Sequence, residues 1–547
     1  MVPASSTRWF CGVVAGLLLV SCACPAGERL RVIMETDAGG DPDDQASLVR
    51  FLMYCNEWDV ESIIADRAQT KNWPLKKEST GLALVRMYLD AYAKVHPNLV
   101  KHEKGYPSPS HLRKVTVAGH NETDDAVNLI IRAVDRDDPR PVWYGNWGSN
   151  SGSRSNLRRA LDKVKAKRSD EAYRAFAGKL RISTLDGGRG TKQGHNDMIQ
   201  LHVETGYPTM DGGRWYHQFR RITERAGGFD LKRDIKTGHG ALGEIYTTPK
   251  EGDSWTFVYL IPTGLSDPSQ PHLGGWAGRY GPRANDPLNR NSSLKGKQLY
   301  WANQRDTWKG TTHRNNTASR WATHMQNDFK ARMDWCVTPK FDDTNHVPLP
   351  HCQGDSSRRI LRIAATPGQR LALDASGSTD PDDDRLNYHW SVYEEPGTYR
   401  SKVTISDHSS QKATLHVPND ADGKTIHVIL QVTDDGMPAL TRYRRIIVGV
   451  PPAGGEPAST ESKTGLLHAV HESLLRSPWW RHSQIRNCAF AKLGLLSRGD
   501  LHIASRLPLP AILEAFCLDA PASRHCTGYR LPADRFRQAT RDCHQRW

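Results

Sequence analysis

Leu30-Arg31-Val32-Ile33-Met34-Glu35-Thr36-Asp37-Ala38-Gly39-Gly40-Asp41-Pro42-Asp43-Asp44 reads as a short apolar strand that runs into an acidic, glycine-containing loop and then opens a helix. Asp37, Asp41, Asp43 and Asp44 crowd four carboxylates into eight residues, preceded by Glu35. Such groups repel one another unless a cation intervenes. Oxygen donors with no His or Cys nearby favour a hard ion, Ca²⁺ or Mg²⁺, over zinc. Gly39 and Gly40 let the backbone fold tightly. The competing reading is an Asp-rich turn in which one Asp caps the next helix. These residues alone leave both readings open.

Outward from this loop, strand-like and helix-like segments alternate. Strands are expected at 30–34, 60–65, 141–144, 180–184 and 257–261, with helices at 45–54, 80–95, 128–134 and 155–164. This repetition predicts an α/β fold over 29–345, a Rossmann-like, mostly parallel open sheet covered on both faces. In such sheets ligands bind beyond the carboxyl ends of the strands, where the acidic and Gly-rich loops fall. From 355 to 450 the pattern changes to short alternating runs separated by turns such as Thr379-Asp380-Pro381-Asp382. That predicts an all-β Ig-like sandwich with Trp390 in its core. Residues 451–547 are a Pro/Gly/Ser-rich linker and a basic tail; the tail's composition fits either a further domain or a shifted reading frame.

The 547 residues carry a formal net charge of +14. The basic residues are dispersed, so no nucleic-acid partner is expected. Lys163, Lys165, Lys167 and Arg168 read as the solvated face of a helix. Residues 1–26 have the order of a secretory signal peptide, with Arg8 before the apolar run 12–20. Leu19-Val20-Ser21-Cys22 also resembles a lipoprotein box, which would anchor the chain at Cys22. Either way an exported protein is expected, periplasmic or extracellular, with no transmembrane helix. Export permits Cys336 and Cys352 to pair.

Strand, Asp37-Ala38-Gly39, then Asp43-Asp44 opening a helix resembles the N-terminal signature of the nucleoside hydrolases. The resemblance implies that Asp37 and Asp44 hold Ca²⁺ and that Asp43 is the base activating a water. Glu35 stands where that family has Asp, and Asp41-Pro42 looks like an insertion. The resemblance also implies a distant carboxylate closing the metal shell, for which Asp267 is the candidate, and a backbone carbonyl from Trp147 or Tyr144. Asn146, Asn150, Asn196 and Asp197 are candidate substrate contacts. Trp215, Trp255 and Trp276 could stack on a ring, at least two of the three being expected in the core. A narrower resemblance lies in Gly264-Leu-Ser-Asp267-Pro268 through Tyr280, followed by Leu373-Asp-Ala-Ser-Gly-Ser-Thr-Asp380-Pro-Asp382-Asp383-Asp384. It is to exported bacterial proteins that join a nucleoside-hydrolase-like domain to an Ig-like domain and are named as cellulose-binding. The ligand implied is a nucleoside or carbohydrate. Two functions follow: Ca²⁺-dependent hydrolysis of a glycosyl bond, or polysaccharide binding without cleavage. Asp380, Asp382, Asp383 and Asp384 resemble the loop of polycystic-kidney-disease-type repeats, open to reading as a turn or a structural Ca²⁺ site.

Overall fold

In the computed structural model, which describes residues 29–71, 80–120, 123–148, 155–184, 200–212, 215–246, 248–282 and 301–452, strand β1 (Leu30–Thr36) is buried beyond its first residue. Both of its faces are covered: Val32 and Met34 enter one core and Ile33 the other, flanked on its face by buried Arg31 and Glu35. The apolar centre of the strand is what burial on both sides requires. β4 (Val142–Asn146) divides the same way, Trp143 toward the first core and Val142 and Tyr144 toward the second.

The sheet has the order β3 (Thr116–Ala118), β2 (Trp58–Ala65), β1, β4, β5 (Leu180–Thr184), β6 (Met210–Asp211), β8 (Trp301–Asn303), β7 (Tyr280–Pro282). Every pairing is parallel except β7 on β8. The strand order reverses between β1 and β4, which places a ligand crevice beyond their carboxyl ends. Helix α1 (Pro42–Tyr54) leaves β1 there and is buried at all thirteen positions. Helix α2 (Gly81–His102) packs on the same face, and Asp125–Asp135 and Asn156–Lys165 cover the other. Lys163 and Arg168 pair at the surface with Asp124 and Asp135.

The strand expected at 257–261 is instead the short helix Trp255–Val258 followed by turns. Trp255, Phe257, Val258, Leu260 and Ile261 are all buried. A run covered on every side has no polar face to reveal its period, so helix and strand look alike in sequence.

A two-stranded hairpin, β9 (Asp306–Trp308) with β10 (Thr311–His313), follows, and then two further sheets: β11 (Leu361–Ala364), β17 (Thr441–Gly449), β16 (Thr425–Thr433), β13 (Asn387–Val392) in that order, and β12 (Arg370–Asp374), β15 (Lys412–His416), β14 (Thr404–Ser406). All pairs are antiparallel except β11 with β17. They share one core, with Trp390 in it as expected. Cys55, Cys336 and Cys352 are free and buried. Cys336 and Cys352 do not pair, because Cys336 belongs to the α/β core and Cys352 to the β core.

β17 joins the two regions. Tyr443 N donates to Thr263 O at 3.0 Å, and Arg445 donates to the carbonyls of Leu265 (2.6 Å) and Gly274 (3.2 Å). Gly264 has φ +85°, and a Cβ there would lie 1.9 Å from Tyr443 O, so only glycine permits this approach. Buried His427 faces Arg445, Nδ1 to Nη1 at 3.3 Å, so its Nδ1 is the unprotonated acceptor. Burial and then Arg445 push this imidazole down to about 3. A histidine held neutral contributes stability that is full above its free value of about 6.5 and is lost as pH falls toward its folded value. The loss between those limits is of order 3–5 kcal/mol. His427→Gln is therefore expected to flatten the fall in melting temperature between pH 7 and pH 4.5; an unchanged slope would contradict this.

No helix of the described residues is long and apolar enough to cross a membrane.

Candidate metal centre

The acidic loop does not work as a cap. Asp41 occupies the N-cap position of α1, yet its side chain makes no capping hydrogen bond. The loop is held by other groups: Gly40 N donates to Asp37 O at 3.0 Å and Ala38 N to Thr36 Oγ1 at 3.1 Å. Gly39 adopts φ +93° against Thr70. Pro42 then starts the helix where its missing N–H costs nothing. That places Asp43 and Asp44 in the first turn, facing inward, 6% and 1% exposed.

A third carboxylate reaches them from far along the chain. Asp43, Asp44 and Asp253 each offer an oxygen, and the three lie within 4.8 Å of one another. Asp253 is 1% exposed, and its Oδ2 has no hydrogen-bond partner among the described residues. Its position is fixed from two sides. Its carbonyl accepts from Thr256 N and Oγ1, and Thr256 Oγ1 accepts the Trp147 indole N–H at 2.7 Å. Two residues upstream, Glu251 is paired with buried Arg50 of α1 and also accepts from Tyr246 and Ser254. Arg50 also donates to Gln326 and lies over the face of Phe329. The helix that presents Asp43 and Asp44 thus also anchors the segment that presents Asp253.

Burial, and then the Asp41 charge, push the Asp43 carboxyl up to about 7. Asp44 is driven well above the ordinary carboxylate range by burial and then by Asp37, and Asp253 by burial and then by Asp43. Asp37, an expected ligand, is outside this trio: it lies at the rim, with Oδ2 3.2 Å from Arg67 Nη1. Buried, mutually repelling oxygens with one unpartnered acceptor suit a hard divalent cation, and the absence of His and Cys from the trio disfavours zinc.

Other expected site residues fall elsewhere. Asp267 is not in the group; its oxygens accept from Ser269 N (2.8 Å) and Gln270 Nε2 (2.6 Å) in its own turn. The far carboxylate is Asp253, upstream of the apolar run, because that run is a helix and the site faces its beginning. Read as a strand, it directs attention to the loop after it. Trp276 is buried, its indole donating to Tyr443 Oη at 3.2 Å beneath the β region, so it cannot stack on a substrate; Trp215 and Trp255 are core residues as well. Trp147 is buried at the end of β4, with its N–H on Glu35 O. Asn146 lies at the same strand end, its Oδ1 accepting Gly148 N at 3.0 Å. Asn150, Asn196 and Asp197, like the leader 1–26 and the tail from 453, lie outside the described residues. Glu35 is fully buried and accepts from Tyr144 Oη and from Asn156 Nδ2 (2.6 Å), tying β1 to β4 and to the helix beyond.

Residues 31–280 match the family described as cellulose-binding Sde182, nucleoside hydrolase-like domain, and residues 370–450 match the cellulose-binding protein Sde0182 C-terminal domain. A solved structure from Saccharophagus degradans, described as a nucleoside hydrolase-related hypothetical protein associated with carbohydrate metabolism, is 35% identical; the match covers 77% of this chain and 100% of that one, with a TM-score of 0.62. The chain belongs to the Sde182 family. The solution structure of the PKD domain from KIAA 1837 protein is 20% identical over 18% of this chain and 85% of its own, but its TM-score of 0.14 is too low to carry weight. No curated protein matches. The acidic loop, Asp253 and the β1–β4 crevice all lie within the segment of this Sde182-family chain that matches the nucleoside-hydrolase-like domain.

Proposed function

We propose that the chain is a calcium-dependent hydrolase of glycosyl bonds, acting on a nucleoside or a related sugar. The observation that carries this reading is the convergence of Asp43, Asp44 and Asp253 at the strand-order reversal of the sheet. Asp37, Asp44 and Asp253 would hold the ion. Calcium, when bound, supplies Lewis acidity and a seat for sugar hydroxyl pairs. Asp43 accepts a proton from water as that water's oxygen bonds to the anomeric carbon and the bond to the leaving group breaks. Asn146, at the end of β4, would orient a sugar hydroxyl. We also read the chain as exported, through the leader 1–26.

The family description favours a second reading, carbohydrate binding without turnover. The acidic crevice would serve sugar recognition in that reading as well. Hydrolysis of nucleosides, 4-nitrophenyl glycosides and cello-oligosaccharides, followed with calcium and with EGTA, tests this. Turnover that EGTA abolishes and calcium restores is expected. Failure to cleave any of them, with retention on insoluble cellulose, would leave the binding reading in its place.

A further inference from the structure

Among the described residues every tryptophan lies in a hydrophobic core or packs against one, except Trp308. It ends β9, beside the two-residue turn Lys309-Gly310 that leads into β10, and it is half-buried. Its ring is met by the Lys309 ammonium, 4.5 Å from the ring centroid, and by no other ring among the described residues. The indole N–H has no hydrogen-bond partner among them. Burying an indole is among the larger single gains a fold can make, so one left outside the cores calls for another use.

The hairpin that carries it is pinned at its base. Asp306 is fully buried and accepts from Arg279 Nε (2.7 Å) and Tyr393 Oη (2.6 Å). Asn316 Nδ2 donates to the carbonyls of Asp306 (3.0 Å) and Thr311 (2.7 Å), so one side chain ties both strands. Thr307 N donates to Glu395 Oε1 at 2.6 Å, and the Thr307 and Thr312 hydroxyls lie 2.7 Å apart. Lys309 and Gly310 have φ +48° and +75°, the pair of positive values that a tight hairpin turn requires. Asn or Gly takes the first of these positions more readily than Lys, and here the lysine brings its ammonium over the ring.

The surroundings narrow the choice of ligand. Thr307, Lys309, Thr311, Thr312 and His313 are exposed and polar, and Thr311, opposite Trp308 in register, shares its face. A protein interface or a bilayer takes a contiguous apolar area, which one ring among hydroxyls does not provide. Single-stranded nucleic acid takes successive stacking platforms along a basic groove. The nearby Arg279 and Arg320 are instead engaged by Asp306 and Glu395. An apolar plate edged by hydroxyls and an amine matches a pyranose, whose ring faces are C–H and whose rim is hydroxyl. Glucose in β-linkage has its hydroxyls equatorial and lies flat on such a plate.

We propose that Trp308, with Lys309 and Thr311 at its edge, is a stacking site for a glucose ring of a β-linked glucan, in addition to the centre at α1. The choice of a glucan rests on the carbohydrate reading above; the site itself does not depend on calcium or on turnover.

The test uses the full chain carrying Asp43→Asn, titrated calorimetrically with cellohexaose in EGTA, so that neither cleavage nor a bound ion contributes. Trp308→Ala, added to this parent, is expected to weaken cellohexaose binding roughly tenfold, and Trp308→Phe to retain most of it. Melting of the alanine variant should match the parent, because the ring belongs to no core. Cellohexaose should also protect the parent's fluorescence from acrylamide, and that protection should vanish in Trp308→Ala. Binding that survives Trp308→Ala would overturn the site while leaving the carbohydrate reading in place. A parent that binds no cellohexaose at millimolar concentration would remove both. A melting loss above about 5 °C would mark the ring as packed and overturn the proposal. So would Trp308-dependent binding of oligothymidylate in place of cellohexaose.

Discussion

Asp43→Asn is expected to lower turnover of a cleavable glycoside by about 10²–10⁴-fold, the usual contribution of a positioned general base. The amide fills the same volume in the first turn of α1 but cannot take up a proton. Because Asp37, Asp44 and Asp253 remain, calcium affinity should fall by roughly tenfold at most. Asp44→Asn should show the opposite balance. It removes an oxygen held between Thr36 and the centre of the group, and affinity should drop about 100-fold, with activity partly recovered at high calcium. Paired calcium titration and steady-state kinetics separate the two. Equal losses of affinity in both variants would remove the distinction between base and ligand.

Glu251→Ala is expected to destabilise the fold by about 3–5 kcal/mol, because it leaves the guanidinium of Arg50 buried without its carboxylate. It also removes the acceptor for Tyr246 and Ser254 and so frees the segment that carries Asp253. Urea unfolding in EGTA reads the stability loss without contribution from the ion. Calcium affinity of the folded variant, measured separately, should fall at least tenfold through the displaced Asp253. A loss below about 1 kcal/mol would mean that Arg50 finds water, and that the clamp is not what sets Asp253.

The sequence discloses much of this arrangement. The β1 run and the loop are legible because an apolar strand and paired glycines dictate local backbone geometry; the helix after them is legible too, but it starts at Pro42, three residues before the expected 45. In the β region the longer strands stand out as short apolar runs between turns, although β17 is buried at eight of its nine positions. The short β14 (Thr404–Ser406) is missed, having too few residues to show a period. Asp253 is missed for a different reason. Its neighbours Trp255, Phe257 and Val258 are enclosed by protein on all sides, and the hydrophobic pattern then says nothing about direction or period. Trp276 misleads similarly: an aromatic near a Gly-rich loop looks like a stacking platform until β17 is seen to cover it. Pairing of buried groups across long separations, Arg50 with Glu251 or Asp434 with Asn345, follows from tertiary packing that local pattern does not encode.

The most direct test of the central claim is to locate the ion. Crystals grown with calcium, or with a lanthanide in its place, should give an anomalous peak among Asp37, Asp44 and Asp253, with carboxylate oxygens about 2.3–2.6 Å from calcium. No peak there at millimolar calcium, with those side chains ordered, would contradict the account.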